Sequence, residues 1–250
     1  MTILNVEHVS KSFDGEKIIQ DMNLQLHKGE LVSLLGVSGG GKTTLFNVIS
    51  GLISPDEGRI LLEGEDVTGR PGQISYMLQK DMLLPYRTIL DNVALPLIIK
   101  GMKKADARAK AEKYFETFDL VGTQNKYPSQ LSGGMKQRAA LLRTYLFSEK
   151  VALLDEPFSA LDMLTKRSMH EWYLGIMNKI QLSTLFITHD IDEAILLSDR
   201  IYILTGKPGT ITKEIQNREE KPRDSEFHLT ESFLKYKRMI LEHLGQEEIL

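Results

Sequence analysis

The sequence predicts an α/β protein in which a parallel-sheet core carries an antiparallel β layer and an inserted helical subdomain. Residues 31–35, 151–154 and 184–187 form apolar runs, which are typical of strands that are covered on both faces. Segments with helical periodicity separate these runs along the chain. Strands that alternate with helices in this way pair in parallel.

The antiparallel layer is predicted from the start of the chain and from a later stretch. Residues 2–9 alternate between polar and apolar side chains, in the manner of a half-buried strand. Residues 17–19 and 22–26 predict two further short strands. Strand and turn chemistry returns in residues 59–62 and 74–78, so we expect these segments to extend the layer or the sheet edge.

Residues 87–147 carry helical patterns in place of strand signals. The predicted helices are 89–100, 104–119 and 134–147, and prolines and glycines punctuate them as caps and loops do. We therefore predict a helical subdomain over residues 80–149, inserted into a core that is formed by residues 1–79 and 150–215.

The C-terminal part of the chain predicts a hairpin and a final helix. Residues 200–204 and 210–215 flank the turn Gly206-Lys207-Pro208-Gly209. Residues 216–250 are predicted to form a charged linker followed by a helix over 227–244, whose apolar residues recur at roughly helical spacing. We expect this helix to pack against the body of the protein.

Composition excludes several classes of function. The 250 residues carry a net charge of −3, which argues against nucleic acid as a partner, because binding a polyphosphate needs a surplus of Lys and Arg. The chain has no cysteine, so thiolate and disulfide chemistry are ruled out. Neither a leader nor an apolar run of about 20 residues is visible, so we expect a protein of the cytoplasm without a membrane span.

A phosphate-binding loop is predicted directly after the first apolar run. The stretch consists of Gly36, Val37, Ser38, Gly39, Gly40, Gly41, Lys42, Thr43 and Thr44, and it fits the spacing of Gly, four residues, Gly, Lys and Ser/Thr. Glycines let backbone N–H groups approach an anion, and a helix that follows adds its positive end. Lys42 would reach the β- and γ-phosphates, and the Thr43 hydroxyl would bind Mg²⁺. The alternative is a plain glycine-rich turn.

Two acidic residues follow the second apolar run. Asp155 is placed to hold Mg²⁺ and Glu156 to accept a proton from an attacking water. Alone, the pair is also compatible with a strand that ends in a solvated loop.

Ser132, Gly133 and Gly134 predict a second anion-binding helix terminus, on the helical subdomain. An ordinary helix start is the alternative. Because one triphosphate does not need two such cradles from one chain, we predict a symmetric dimer in which each chain completes the site of the other.

In their order along the chain, these motifs resemble those of the ATP-binding subunits of ABC transporters, and the resemblance covers residues 1 to about 215. It implies a P-loop NTPase (RecA-like) fold, with residues 1–215 as the nucleotide-binding domain. It also implies ATP and Mg²⁺ as ligands and ATP hydrolysis coupled to transport. The implied partners are a second copy upon ATP binding, transmembrane permease subunits at the cytoplasmic face of the membrane, and an extracytoplasmic solute-binding protein.

The same resemblance implies roles for further residues. Gln79 would contact Mg²⁺ and the attacking water, His189 would hold the γ-phosphate, and Phe13 would stack on adenine. Ser132 and Gly134 would grip the nucleotide of the opposite chain. Taken alone, Gln79 is equally typical of a solvated strand end, His189 of a structural histidine and Phe13 of a core residue.

Three stretches are similar to the branch of importers for nitrate, sulfonates and taurine: 131–135, 83–93 and 207–211. Met135 departs from the glutamine that commonly ends the signature, and a methionine cannot donate a hydrogen bond. The predicted function is therefore an ATPase subunit of an importer for a small polar solute. An exporter subunit, a soluble ABC ATPase and a nucleotide-sensing regulator are the alternatives.

Overall fold

The computed structural model describes residues 1–37, 39–221, 223 and 226–245. Within these ranges the chain forms ten strands and seven α-helices. The strands are β1 (Thr2–Phe13), β2 (Glu16–His27), β3 (Leu31–Gly36), β4 (Glu57–Leu62), β5 (Glu65–Asp66), β6 (Ser75–Met77), β7 (Val151–Asp155), β8 (Ser183–Thr188), β9 (Arg200–Thr205) and β10 (Thr210–Gln216). The helices are α1 (Lys42–Ile49), α2 (Ile89–Ile99), α3 (Lys104–Glu112), α4 (Gly133–Phe147), α5 (Met163–Ile180), α6 (Ile191–Leu197) and α7 (Glu231–Leu244).

The larger sheet is the predicted parallel core. Its strand order is β10-β9-β3-β8-β7-β6, in which β9 to β6 run parallel and β10 is an antiparallel edge strand. Every residue of β3, β7 and β8 is buried, as their apolar composition predicts. The predicted α/β fold is thus confirmed. Because parallel strands point the same way, the loops that follow β3, β6, β7 and β8 open at one edge of the sheet.

The smaller sheet, β2-β1-β4-β5, is the predicted antiparallel layer. The prediction of two short strands at 17–19 and 22–26 was wrong, because both segments belong to the single strand β2. The register against β1 shifts near this point, and Asp21 adopts a left-handed φ of 47°. The polar interruption in the sequence is therefore a β-bulge inside a strand, where a local pattern suggests a strand end.

Helices α2, α3 and α4 lie between β6 and β7 in the chain, as predicted. The Thr88 side chain caps α2 by accepting a hydrogen bond from the Asp91 N–H, and Ser132 caps α4 in the same way. Buried residues of these helices belong to one hydrophobic cluster with Met77 and Leu154 of the parallel sheet. The subdomain boundaries at 79/80 and 149/150 stay a prediction.

Helix α3 ends earlier than its predicted end at residue 119. It stops at Glu112, and the chain continues in turns that bury Phe115 and Phe118. The Leu120 N–H turns back to the Phe115 carbonyl at 2.7 Å. Burial of the two phenylalanines therefore decides the path of this segment, and the local helical pattern does not.

The predicted terminal helix is present and packs against the body. It starts at Glu231, later than the predicted 227, because the Thr230 hydroxyl accepts the Phe233 N–H and caps it. Phe233 and Ile240 are buried in a cluster that includes residues of β3, α6 and β9. Residues 222, 224, 225 and 246–250 of the predicted linker and tail lie outside the described residues.

None of the helices in the described part of the chain is both long enough and apolar enough to span a membrane.

Candidate nucleotide site

A cleft of about 270 Å³ lies at the carboxyl edge of the parallel sheet, between the loop that follows β3 and the end of β7. The start of α1 contributes Lys42 and Thr43, and the end of β7 contributes Asp155 and Glu156. The remaining lining residues are Ile18, Gly39, Gly41, Thr44 and Ile187. The fold thus brings the predicted phosphate loop and the predicted acidic pair to one place.

The phosphate loop needs its glycines for two different reasons. Gly39 and Gly41 have left-handed φ angles of 83° and 88°, which side chains rarely adopt. At Gly36 a Cβ would lie 2.4 Å from the Leu204 carbonyl oxygen, so close packing excludes a side chain. Ser38 lies outside the described residues.

Lys42 folds back over this loop. Its Nζ donates hydrogen bonds to the Gly36 and Val37 carbonyl oxygens at 2.8 and 2.7 Å. Burial lowers the pKa of the Lys42 ammonium, and the carboxylates of Glu156 and Asp155 oppose that effect. The ammonium group is thus held at the cleft by neutral partners, which an anion would outcompete.

Helix α1 starts at the floor of the cleft. Its N-cap is Gly41, and no described side chain caps the first turn. The N–H groups at such an uncapped helix terminus favour phosphate binding.

Asp155 and Thr43 form an oxygen pair suited to Mg²⁺. The Thr43 Oγ1 lies 3.3 Å from the Asp155 Oδ2, which also accepts a hydrogen bond of 3.2 Å from the Tyr76 hydroxyl. Burial raises the pKa of the Asp155 carboxyl, and the hydrogen bonds from Tyr76 and Thr43 oppose the rise. Among the described residues, no group of three or more His, Cys, Asp or Glu side chains is arranged to hold a metal ion. One carboxylate and one hydroxyl fit Mg²⁺, which takes few protein ligands and completes its shell with phosphates and water.

Glu156 stands between two polar side chains. Its Oε1 lies 3.1 Å from His189 Nδ1, and its Oε2 accepts a hydrogen bond of 3.0 Å from Gln79 Nε2. Gln79 follows β6 and His189 follows β8, so three loops meet at this carboxylate. Glu156 also has a left-handed φ of 46°, a strained conformation that clusters at functional sites.

The structure does not bring every predicted site residue to the cleft. Ser132, Gly133 and Gly134 lie at the start of α4, where Ser132 accepts a hydrogen bond from the Met135 N–H at 3.3 Å. Phe13 ends β1 with 43% of its surface exposed. Neither group is part of the cleft lining.

Two contributors were missed by sequence reasoning. Tyr76 bonds Asp155 from β6, and no motif marks it. Gly209 lies in the β9–β10 hairpin, where its N–H donates to the Ile18 carbonyl at 2.9 Å. A Cβ on Gly209 would lie 2.1 Å from the Gly40 carbonyl oxygen, so this hairpin supports the phosphate loop directly. The signal for it was the Lys207-Pro208-Gly209 run, which predicts a hairpin turn but not a contact with the phosphate loop.

We expect Gly209→Ala to lower both stability and ATP affinity, because the new methyl group must displace the Gly40 backbone. Overpacking of this kind costs about 1–3 kcal/mol, and thermal unfolding together with nucleotide titration measures both effects. The control is Gly175→Ala inside α5, where a Cβ meets no atom within 4 Å. That exchange should leave ATP affinity unchanged. Equal behaviour of the two variants would contradict the supporting role of Gly209.

Comparison with known proteins agrees with this geometry. The sequence profile of the family described as ABC transporter matches residues 19–159. The formylaminopyrimidine import ATP-binding protein of Halalkalibacterium halodurans is 47% identical over 215 residues, which cover 86% of this chain and 84% of the relative. An aliphatic sulfonates import ATP-binding protein of Bacillus cereus is 38% identical over 97% of this chain and 95% of its own. The nitrate import ATP-binding protein of Synechocystis is 36% identical over 93% of this chain and 91% of its own.

Solved structures agree as well. An ATP-binding cassette that was solved as a dimer in a post-hydrolysis state with ADP and Pi matches with a TM-score of 0.72 and 29% identity, over 87% of this chain and 100% of its own. A nucleotide-free cassette of an ABC transporter shares the fold over the whole chain, with a TM-score of 0.81 at 22% identity. Because the profile spans more than half of the sequence and the relatives are alike over most of it, the chain belongs to the ABC transporter family, as an ATP-binding subunit that hydrolyses ATP.

Proposed function

We propose that this chain powers the import of a small polar solute, such as a sulfonate, nitrate or a pyrimidine, through a membrane permease. The observation that carries the proposal is the convergence of Lys42, Asp155, Glu156 and His189 at one sheet edge. Relatives named for import of these solutes, alike over most of their length, support the direction of transport and the solute class.

The phosphate loop and α1 bind the triphosphate in this proposal. Lys42 exchanges its two carbonyl partners for β- and γ-phosphate oxygens, which are stronger acceptors because they are charged. Thr43, Asp155 and Gln79 would hold Mg²⁺, which when bound neutralises charge on the phosphate oxygens. Phe13, half exposed at the end of β1, offers a ring for adenine.

Glu156 accepts the proton of the attacking water. His189 and Gln79 each contact one oxygen of its carboxylate, so a water held beside this carboxylate lies within reach of a base. His189, which contacts the Glu156 oxygen that Gln79 does not, donates to the γ-phosphate. Gln79 orients the same water and links it to the segment that follows β6.

Ser132, Gly133 and Gly134 complete the site of a second copy. In support, Ser132 caps α4 and the two glycines begin it, outside the cleft of their own chain. The first turn of the helix also has the backbone donors that an anion needs. A two-fold dimer can bring such a terminus over the opposite cleft, once for each copy. The dimeric cassette with ADP and Pi is a precedent in a related protein.

An apolar groove of about 490 Å³ is the proposed docking site for a permease helix. Leu78, Met82 and Ile99 line it and are exposed. Arg143 steadies one side by donating to the Asp81 and Met82 carbonyls at 2.6 and 2.7 Å. Because the groove begins one residue from Gln79, movement of a docked helix would reach the cleft. The subunit would then lie at the cytoplasmic face of the membrane, and an extracytoplasmic binding protein would deliver the solute.

The test is reconstitution with candidate permeases and their solute-binding proteins. In proteoliposomes, ATP hydrolysis and uptake should rise together when taurine, nitrate or a formylaminopyrimidine is offered with the binding protein. Ile99→Glu should release the permease and keep basal hydrolysis, whereas Val121→Glu, exposed outside the groove, should change neither. An ATP hydrolysis rate that no permease changes would refute the proposal, and so would solute transport in the export direction.

A further inference from the structure

A polar cluster with a buried centre lies between β8, α5 and α6. We name it the α5–α6 cluster, and it consists of Lys166, His170, Thr188, Asp190 and Glu193. None of these residues lines the cleft. The motifs of the sequence analysis do not include them either.

Glu193 is the centre of the cluster. Its side chain is only 4% exposed, and its Oε1 accepts a hydrogen bond of 2.9 Å from His170 Nε2. Lys166 Nζ lies 3.5 Å from the same oxygen and 2.6 Å from Asp190 Oδ2. A buried carboxylate is costly unless it is paired and hydrogen-bonded, so this one is kept in place by several partners at once.

The cluster holds the backbone on both sides of His189. The Thr188 hydroxyl donates to Glu193 Oε2 and accepts the Asp190 N–H at 3.0 Å. Asp190 in turn caps α6 through the Glu193 N–H at 3.1 Å. His189 lies between Thr188 and Asp190, which these hydrogen bonds hold in place. Thr188 and Glu193 therefore fix the backbone position from which the His189 ring extends.

The cluster also contacts the segment that carries Glu156. The His170 ring packs edge-on against the Phe158 ring, with 4.8 Å between the centroids and an angle of 80°. Phe158 follows Glu156 by two residues, and the Glu156 N–H donates to the Ile187 carbonyl at 3.0 Å. The α5–α6 cluster therefore touches both chain segments whose side chains, His189 and Glu156, contact each other.

We propose that Thr188 and Glu193 are positioning residues that set His189 against Glu156 for ATP hydrolysis, with no contact to ATP of their own. This inference rests on the proposed roles of His189 and Glu156. The His189 ring is largely exposed, and its contact with Glu156 is a single distance of 3.1 Å from Nδ1 to the carboxylate. Because few other polar contacts from the described residues hold the ring, its position depends on the backbone that the cluster anchors.

The test compares Thr188→Val, which removes only the hydroxyl link, with Thr188→Ser, which keeps it. A displacement of about 1 Å costs on the order of 100-fold in rate, so we expect Thr188→Val to lower kcat about 10- to 100-fold. ATP affinity, set by the phosphate loop, should stay near that of the wild type. Thr188→Ser should recover most of the rate. Glu193→Gln, with an unchanged volume, is the second variant if the valine variant folds poorly.

A double-mutant cycle with His189→Ala separates positioning from a general structural defect. Single-turnover hydrolysis is measured with enzyme in excess of ATP. If Thr188 acts through His189, adding Thr188→Val to His189→Ala causes no further loss. The inference is overturned if the double variant loses the product of the two single rate losses. It is also overturned if Thr188→Val and Glu193→Gln both hydrolyse ATP at the wild-type rate, or if Thr188→Ser is as slow as Thr188→Val. Wild-type hydrolysis by His189→Ala alone would instead show that the proposed role of His189 is wrong.

Discussion

Glu156→Gln is expected to slow ATP hydrolysis by about 10²- to 10⁴-fold, the usual contribution of a general base. The amide keeps the shape of the carboxylate but replaces one acceptor oxygen with an NH2 donor, and it is far too weak a base to take the proton of water. ATP binding depends on the phosphate loop and should persist. In the proposed dimer, the two copies separate only after ATP is hydrolysed. The variant should therefore accumulate as an ATP-bound dimer.

Steady-state phosphate release and size-exclusion chromatography with ATP·Mg²⁺ measure the two outcomes. The matched control is Glu65→Gln, an exposed glutamate on β5, which should behave as the wild type. A Glu156→Gln protein that turns over ATP at the wild-type rate would remove Glu156 from the mechanism.

Ser132→Arg is expected to leave ATP binding intact and to abolish dimer closure and hydrolysis. Ser132 lies outside the cleft of its own chain, so a bulky side chain there does not reach the nucleotide that this chain holds. In the proposed dimer the same side chain faces the partner's triphosphate. Loss of the α4 cap contributes separately, typically about 1 kcal/mol of stability, and thermal unfolding of Ser132→Ala without nucleotide measures that contribution.

Mixing two inactive variants tests whether the site is shared between copies. A heterodimer of Ser132→Arg with Lys42→Ala contains one site in which both the phosphate loop and the α4 terminus are intact. We therefore expect partial recovery of hydrolysis on mixing, measured by phosphate release. ATP-driven dimerisation of Ser132→Arg alone would contradict the arrangement.

The phosphate loop illustrates what local sequence predicts well. Glycine spacing, an apolar strand before it and a helix after it are all short-range properties, and the structure places β3, the loop and α1 accordingly. The strand that ends at Asp155 is predictable for the same reason, because burial on both faces demands a continuous apolar run.

The misplaced element ends illustrate what local sequence leaves open. In the sequence, the bulge in β2 cannot be told from a break between two strands, because the polar residues Gln20 and Asp21 suit both structures. Helix α3 ends at Glu112 because Phe115 and Phe118 are drawn into a core built by distant segments. Tyr76 reaches Asp155 across 79 positions of sequence, and no short pattern records such a contact.

The sequence by itself determined the chemical inventory of this protein: a lysine and a hydroxyl for phosphate and metal, two carboxylates, a glutamine, a histidine and a second helix terminus. Motif spacing and hydrophobic periodicity involve residues that are close in the chain, so both can be read directly from the sequence. Only the tertiary structure decided which of these groups meet. Parallel strands bring Gln79, Glu156 and His189 to one edge, while Ser132 remains outside that cleft, because three-dimensional proximity is set by sheet order and packing between segments far apart in the chain.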